Sequence, residues 1–153
     1  MVTRSKNPRL YSRLQIAAQL MRKVTDRQLV EAAGITAAQL GVLNRVGAAH
    51  ELNQTSLARD LRLNDSAITA MVKRLIGLGM LEKTRSASDS RAWVLMLTAE
   101  GEAAIERANS QMLSINQKID AEFGPGKLDD FVQKLNRLIE LCDEEQTADV
   151  TAV

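Results

Sequence analysis

Two groups of side chains in this 153-residue chain have the types and spacing for chemistry, and they point in different directions. The first group holds the nucleophiles and metal ligands, and it is meagre. His50 and Cys142 are single copies of their kinds, too few for a conventional metal cluster or for a Cys–His or Ser–His–Asp arrangement. The pairs Asp129-Asp130 and Glu144-Glu145 read as solvated helix surface. Gly77-Leu78-Gly79 is no phosphate loop, because a third glycine is missing at the needed spacing and the run follows a helix instead of a strand. An enzyme is therefore not expected, and neither is a cofactor. Asp143, Glu144 and Glu145 surround Cys142 with negative charge, which disfavours a reactive thiolate, so a buried structural thiol in a helix seam is expected.

The second group is larger: cations set among small polar side chains. If Ile68 lies in the core of a helix over residues 65–78, Val72, Leu75 and Ile76 fall beside it at about 100° per residue. The opposite face then carries Ser66, Ala70, Lys73, Arg74 and Gly77, flanked by Ala67 and Thr69. Such a face is slim enough for a DNA major groove. Ser66 and Thr69 can hydrogen-bond base edges, and Ala67 or Ala70 can touch a thymine methyl. Lys73 and Arg74 suit phosphates, which fix position without reading sequence. The bland alternative is an ordinary solvated helix side. Downstream, Lys83, Arg85 and Arg91 lie on or beside a hairpin whose tip can enter a minor groove, where a narrow groove favours Arg. Asp89, two residues before Arg91, is expected to hold its guanidinium in one orientation; the rival is an exposed turn ion pair of little consequence. Gln54 and Thr55 open a preceding short helix and can direct side chains and amides at phosphate. Trp93, on the second strand of the hairpin, is expected to pack.

The elements that must position these groups follow from punctuation and periodicity. Leu57-Ala58-Arg59-Asp60-Leu61 makes a short helix, Arg62-Leu63-Asn64 a turn, and residues 65–78 a second helix stopped by Gly77 and Gly79. Residues 81–85 and 92–97 read as strands joined by a charged loop. Before this reader, Leu10, Leu14, Ala17, Met21 and Val24 mark an amphipathic helix over 8–33, and Thr36 caps another reaching about residue 50, with Leu40, Leu43 and Val46 inward. After it, Thr98 is a cap, and Ile105, Ala108, Met112, Ile115, Ile119 and Phe123 hold a three-four spacing up to Gly124-Pro125-Gly126. Leu128, Phe131 or Val132, Leu135, Leu138 and Cys142 continue it to about residue 144, with a frayed tail over 145–153.

The expected fold is mostly α with a small β-wing: a winged helix-turn-helix flanked by long N- and C-terminal dimerisation helices. Its expected parts are 8–50 as N-terminal scaffold and dimerisation helices, 51–98 as reader, and 99–144 as C-terminal dimerisation helices. The flanking seams exceed what the reader can cover and call for a partner helix. A helix-turn-helix gains by binding two half-sites about a two-fold axis; the alternative is a bundle within one chain. Charge is unevenly spread. Seven Lys/Arg against Asp26 give residues 1–30 a net +6, whereas residues 101–153, with five basic and eleven acidic groups, carry −6. A basic head can meet an acidic tail, in one chain or between two, or touch phosphate. One cysteine and no apolar run near the roughly 18 residues of a membrane span, with no signal peptide, suggest a soluble cytoplasmic protein.

The block Leu57-Ala58-Arg59-Asp60-Leu61, Asp65-Ser66-Ala67-Ile68-Thr69, Leu78-Gly79-Met80-Leu81, Asp89-Ser90-Arg91 and Leu97-Thr98-Ala99-Glu100-Gly101 resembles the multiple-antibiotic-resistance regulator (MarR) family of bacterial winged-helix repressors. The resemblance covers about residues 8–144. It implies a homodimer that binds a pseudo-palindromic operator in double-stranded DNA, usually as a repressor, and that many members release the DNA on binding a small aromatic or carboxylated effector. In similar proteins effector clefts lie near the junction where His50 stands, which makes His50 a ligand candidate beside its plainer reading as a helix-end spacer. Three departures stand out: Ala70 where many members carry Arg, Asp65 at the front of the reading helix, and one Arg after Asp89 where relatives often have two. The alternatives are a DNA-binding regulator without small-molecule input, and a winged helix used as a protein-interaction module.

Overall fold

The computed structural model describes residues 10–49, 52–87, 89 and 91–151. In chain order it has α1 (Leu10–Ala33), α2 (Ala37–Gly47), α3 (Gln54–Leu61), α4 (Asp65–Gly77), β1 (Leu81–Arg85), β2 (Trp93–Leu97), α5 (Ala99–Phe123) and α6 (Lys127–Thr151). This is the expected mostly helical winged helix-turn-helix. Boundaries differ in three places. α2 stops at Gly47, β2 starts at Trp93, and α6 continues to Thr151, through most of the stretch expected to fray.

Local signals explain each start and stop. Thr36 caps α2 with a full capping box: its hydroxyl accepts the N–H of Gln39, whose side chain accepts the N–H of Thr36. Asp26 Oδ1 takes the further N–H of Ala37 at 2.8 Å, tying α1 to the start of α2. Asn53 and Asn64 cap α3 and α4 by accepting from Ser56 and Ala67, each at 2.8 Å. Both helices end alike. The N–H of Leu63 returns to the carbonyl of Ala58, and that of Met80 to Leu75, around left-handed residues Arg62 (φ 53°) and Gly79 (φ 70°).

Contacts divide the chain into two compact units, up to Met112 and from Leu113. In the first, Leu43, Val42, Leu57, Ile68, Val72, Leu75 and Leu81 are almost fully buried, together with Leu29 and Ile35. Each such side chain contributes roughly 1.5–3 kcal/mol of burial. α2 therefore sits inside the reader's core, next to α3, α4 and β2, and is not a separate scaffold. The expected core face of α4 holds for Ile68, Val72 and Leu75 but not for Ile76, which is 37% exposed. Lying one residue past Leu75, it is carried round to the solvent edge as the helix ends. β1 and β2 pair antiparallel from Leu81↔Leu97 to Arg85↔Trp93, and the N–H of Leu95 also reaches the carbonyl of Leu52.

The base of the hairpin is locked onto α5. Thr98 donates its hydroxyl to the Gly79 carbonyl at 2.6 Å and accepts the N–H of Gly101 at 3.1 Å. Gly101 allows this approach, because a β-carbon there would stand 2.2 Å from the Met80 carbonyl oxygen.

Outside the core, the apolar stripe of α1 stands open in the single chain: Leu10, Met21 and Val24 are exposed, as are Ile16 and Leu20. What α1 buries is Leu29 and Ala33. In the second unit Phe123 and Phe131 face each other across the Gly-Pro-Gly break, ring centroids 5.2 Å apart. Val132, Leu138, Ile139 and Leu141 of α6 are exposed. Cys142 is exposed too, contrary to the buried thiol expected from the spacing. Replacing Gly101 by Ala should destabilise the fold by about 1–3 kcal/mol through overpacking against the Met80 carbonyl. A lower urea midpoint at unchanged slope would show it.

Candidate nucleic-acid interface

α4 presents its polar face as expected. Ser66, Thr69, Ala70, Lys73, Arg74 and Gly77 are exposed, and Ala67 is half-buried on the flank. Ala70, Lys73, Arg74, Gly77 and Leu78 line a shallow open hollow along the second half of the helix. The missing bulk at Ala70 and Gly77 makes the hollow, and the two cations rim it. The N-terminal end is more tightly organised than its sequence suggests. Ser66 donates its hydroxyl to Asn64 Oδ1 at 2.8 Å, the same oxygen that caps the helix. The proton of Ser66 is thus engaged, and its oxygen lone pairs are what it offers outward. Asn64 thus belongs to the surface although no reading of the cations points to it; the signal available was a cap residue immediately before Asp65.

α3 stands against the hairpin through its first residue. Gln54 Oε1 accepts from Lys83 Nζ at 2.7 Å, so Gln54 anchors the wing's stem to α3 as well as standing near its N-terminus, and Thr55 beside it is exposed. Asn53 satisfies one of the amides there. On the other side of α3, Asp60 receives Arg45 of α2 through Nε at 2.6 Å and Nη2 at 2.5 Å, setting the α2–α3 angle. These two polar ties lie far apart in sequence, which is why spacing alone does not reveal them.

The loop between the strands corrects one expectation. Asp89 does not grip the Arg91 guanidinium. Its Oδ1 accepts the backbone N–H of Arg91 at 2.9 Å, and its carbonyl accepts that of Ala92. Its own N–H goes to the Ser86 hydroxyl, and Ser86 N–H closes the loop on the Ala92 carbonyl. The carboxylate is thus a local turn-former of the kind Asp side chains make two residues ahead, and among the described residues the Arg91 guanidinium makes no ion pair. Arg85 lies over the Trp93 ring, its guanidinium carbon 4.2 Å from the centroid, and donates Nη1 to the Arg91 carbonyl at 3.3 Å. Trp93, expected to pack into the protein, is instead 51% exposed beneath this cation. His50 lies outside the described residues, as do Arg4, Lys6 and Arg9 of the basic head.

Helix, turn, slim cationic helix and basic hairpin together define a winged helix-turn-helix. The MarR family model matches residues 33–92. CouR, a transcriptional repressor whose structure is bound to a 23-mer DNA duplex, superposes with TM-score 0.78 at 28% identity, over 86% of this chain and 92% of that one. The PcaV transcriptional regulator of Streptomyces coelicolor, in complex with its natural ligand, gives TM-score 0.70 at 28% identity, over 86% and 89%. The transcriptional repressor MdtR of Bacillus subtilis is 32% identical over 100 residues, 63% of this chain and 64% of that protein. The curated relatives are matched over 54% and 64% of their own lengths. Over these stretches the chain is similar to MarR-family winged-helix transcription regulators.

If Asp89 works by accepting the Arg91 N–H, Asp89→Asn should keep the loop and Asp89→Ala should lose about 0.5–1.5 kcal/mol of local stability. Limited trypsinolysis after Arg91 reads this directly. Equal acceleration in both variants would restore a charge-based role for the carboxylate.

Proposed function

We propose that this protein is a cytoplasmic, sequence-specific DNA-binding regulator that acts as a homodimer, most simply as a repressor on a pseudo-palindromic operator. The observation that carries the reading is the α4 face, slim at Ala70 and Gly77 and rimmed by Lys73 and Arg74, beside a wing bearing Arg85 and Arg91. Each α4 enters a major groove, with half-sites about one helical turn (~10 bp) apart. Thr69, Ser66, Ala67 and Ala70 meet base edges, Lys73 and Arg74 meet phosphates, and Arg91 enters the flanking minor groove. Gln54 and Thr55 stand at the phosphates, and Asp89 shapes the wing. CouR's DNA complex and the repressor MdtR support the class. The exposed apolar residues of the α1 and α6 stripes support the dimer, since apolar stripes left open on a helix mark association surfaces. No described helix is long and apolar enough to cross a membrane.

Arg91→Ala should weaken operator binding by about 1–3 kcal/mol and leave the dimer intact. Lys73→Ala should flatten the salt dependence by about one unit of log–log slope. Anisotropy titrations across salt concentrations, with sedimentation equilibrium for the oligomer, measure both. Salt-independent binding, or a monomer at micromolar concentration, would overturn the proposal.

Release by a small aromatic or carboxylated effector, with His50 at its site, is the second part of the reading, and the ligand complex of PcaV supports it. A regulator without such input is the competing reading, and the placement of the rings favours it. Trp93 is on the wing, Phe123 and Phe131 face each other, and Tyr11 is 70% exposed with its hydroxyl bonded to Gln15. A thermal-shift screen with aromatic acids separates the two, because a ligand at 100-fold over its dissociation constant stabilises by about 2.7 kcal/mol. No shift with any of them would favour control without an effector.

A further inference from the structure

We infer that Trp93 is a positioning residue of the wing: its ring holds the Arg85 guanidinium flat, and through Arg85 it fixes the Arg91 carbonyl and so the place where the tip presents Arg91. Trp93 and Arg85 are the last pair of the ladder, next to the loop. On the same face of the hairpin the earlier positions are already committed: Leu81 and Leu95 are buried, and Lys83 is tied to Gln54. The Arg85–Trp93 pair therefore lies beyond the reach of the core. A tryptophan serving only to pack would not leave half its surface to solvent. The ring instead covers one side of a planar cation at 4.2 Å, and that cation donates to the carbonyl of Arg91, six residues away. Asp89 grips the same residue by its N–H. The peptide groups on both sides of Arg91 are thus held, one by a carboxylate and one by a stacked guanidinium, while its side chain is left to reach outward. Stacking also gives Arg85 a fixed plane from which its remaining donors can meet a phosphate.

The affinity arm of the test rests on the DNA-binding reading; the other two arms use the free protein. Trp93 is the chain's single tryptophan, so its fluorescence reports the stack alone. A neighbouring guanidinium draws in iodide and repels caesium, and the ratio of their quenching efficiencies should fall about twofold in Arg85→Gln. Amide exchange at Arg91 and Ala92 should quicken in Trp93→Leu and in Arg85→Gln to the same extent, with no further gain when the two are combined. Trp93→Leu should weaken binding to a selected duplex about two- to fivefold, Trp93→Phe should recover most of that, and Trp93→Leu should cost nothing more in an Arg85→Gln background. An unchanged quenching ratio, losses that add in the double variant, or a Phe variant as poor as Leu would overturn the inference. If the unaltered protein bound no duplex, the proposed function would fall, and the quenching and exchange arms would still decide the role of Trp93.

Discussion

The close approach of the first turn of α5 to the Met80 carbonyl is the constraint on which the reader's shape depends. A helix backbone meets the chain just ahead of β1 there with no side chain between them, and Gly101 is what makes room. Thr98 converts the approach into a joint, donating to the end of the α4 turn and receiving from the start of α5 with one hydroxyl. Its backbone N–H adds a third bond, to Met80. The Leu97-Thr98-x-x-Gly101 run is therefore a steric and hydrogen-bonding device. It fixes where the hairpin leaves the core, and every wing residue is placed from that origin.

From that joint outward, polar side chains do the positioning and cations are what they position. Asn64 caps α4 and holds Ser66; Gln54 holds Lys83; Asp89 forms the turn beneath Arg91; Trp93 lies under Arg85. None of these is a deep-core contact, and each alone is worth about 1 kcal/mol or less. Their effect is geometric. They restrict where a handful of charges can stand, which matters more for recognition than for the stability of a domain whose folding free energy comes from Leu43, Leu57, Ile68, Leu75 and their neighbours.

Much of this was legible in the sequence, for identifiable reasons. Helical spacing around Ile68 and the glycine stops located α4, and short residue runs on either side of a charged loop located both strands, because a hairpin and a short helix depend on local pattern. The outward set Ser66, Thr69, Ala70, Lys73 and Arg74 followed from one assumption, that Ile68 is core. Ile76 failed the same rule because the helix ends within a residue of it. Asp89 was assigned the wrong partner because charge pairing is the obvious reading of Asp-x-Arg, whereas a short carboxylate reaches a backbone N–H two residues on more readily than a long, mobile side chain. The Arg85–Trp93 stack and the Arg45–Asp60 bridge were out of reach, since each joins residues that register and helix packing alone bring together. Cys142 was misjudged because seam spacing says which face a residue lies on, not what covers it.

Arg62, with φ of 53°, is the bend between α3 and α4, and it is not glycine. A residue with a β-carbon in that conformation costs about 1 kcal/mol that glycine would avoid. Glycine, however, would leave the unfolded elbow many more directions to explore. An arginine there trades a small strain in the folded bend for a smaller loss of chain entropy on folding. The angle at which α3 hands over to α4 is thus written into one backbone torsion.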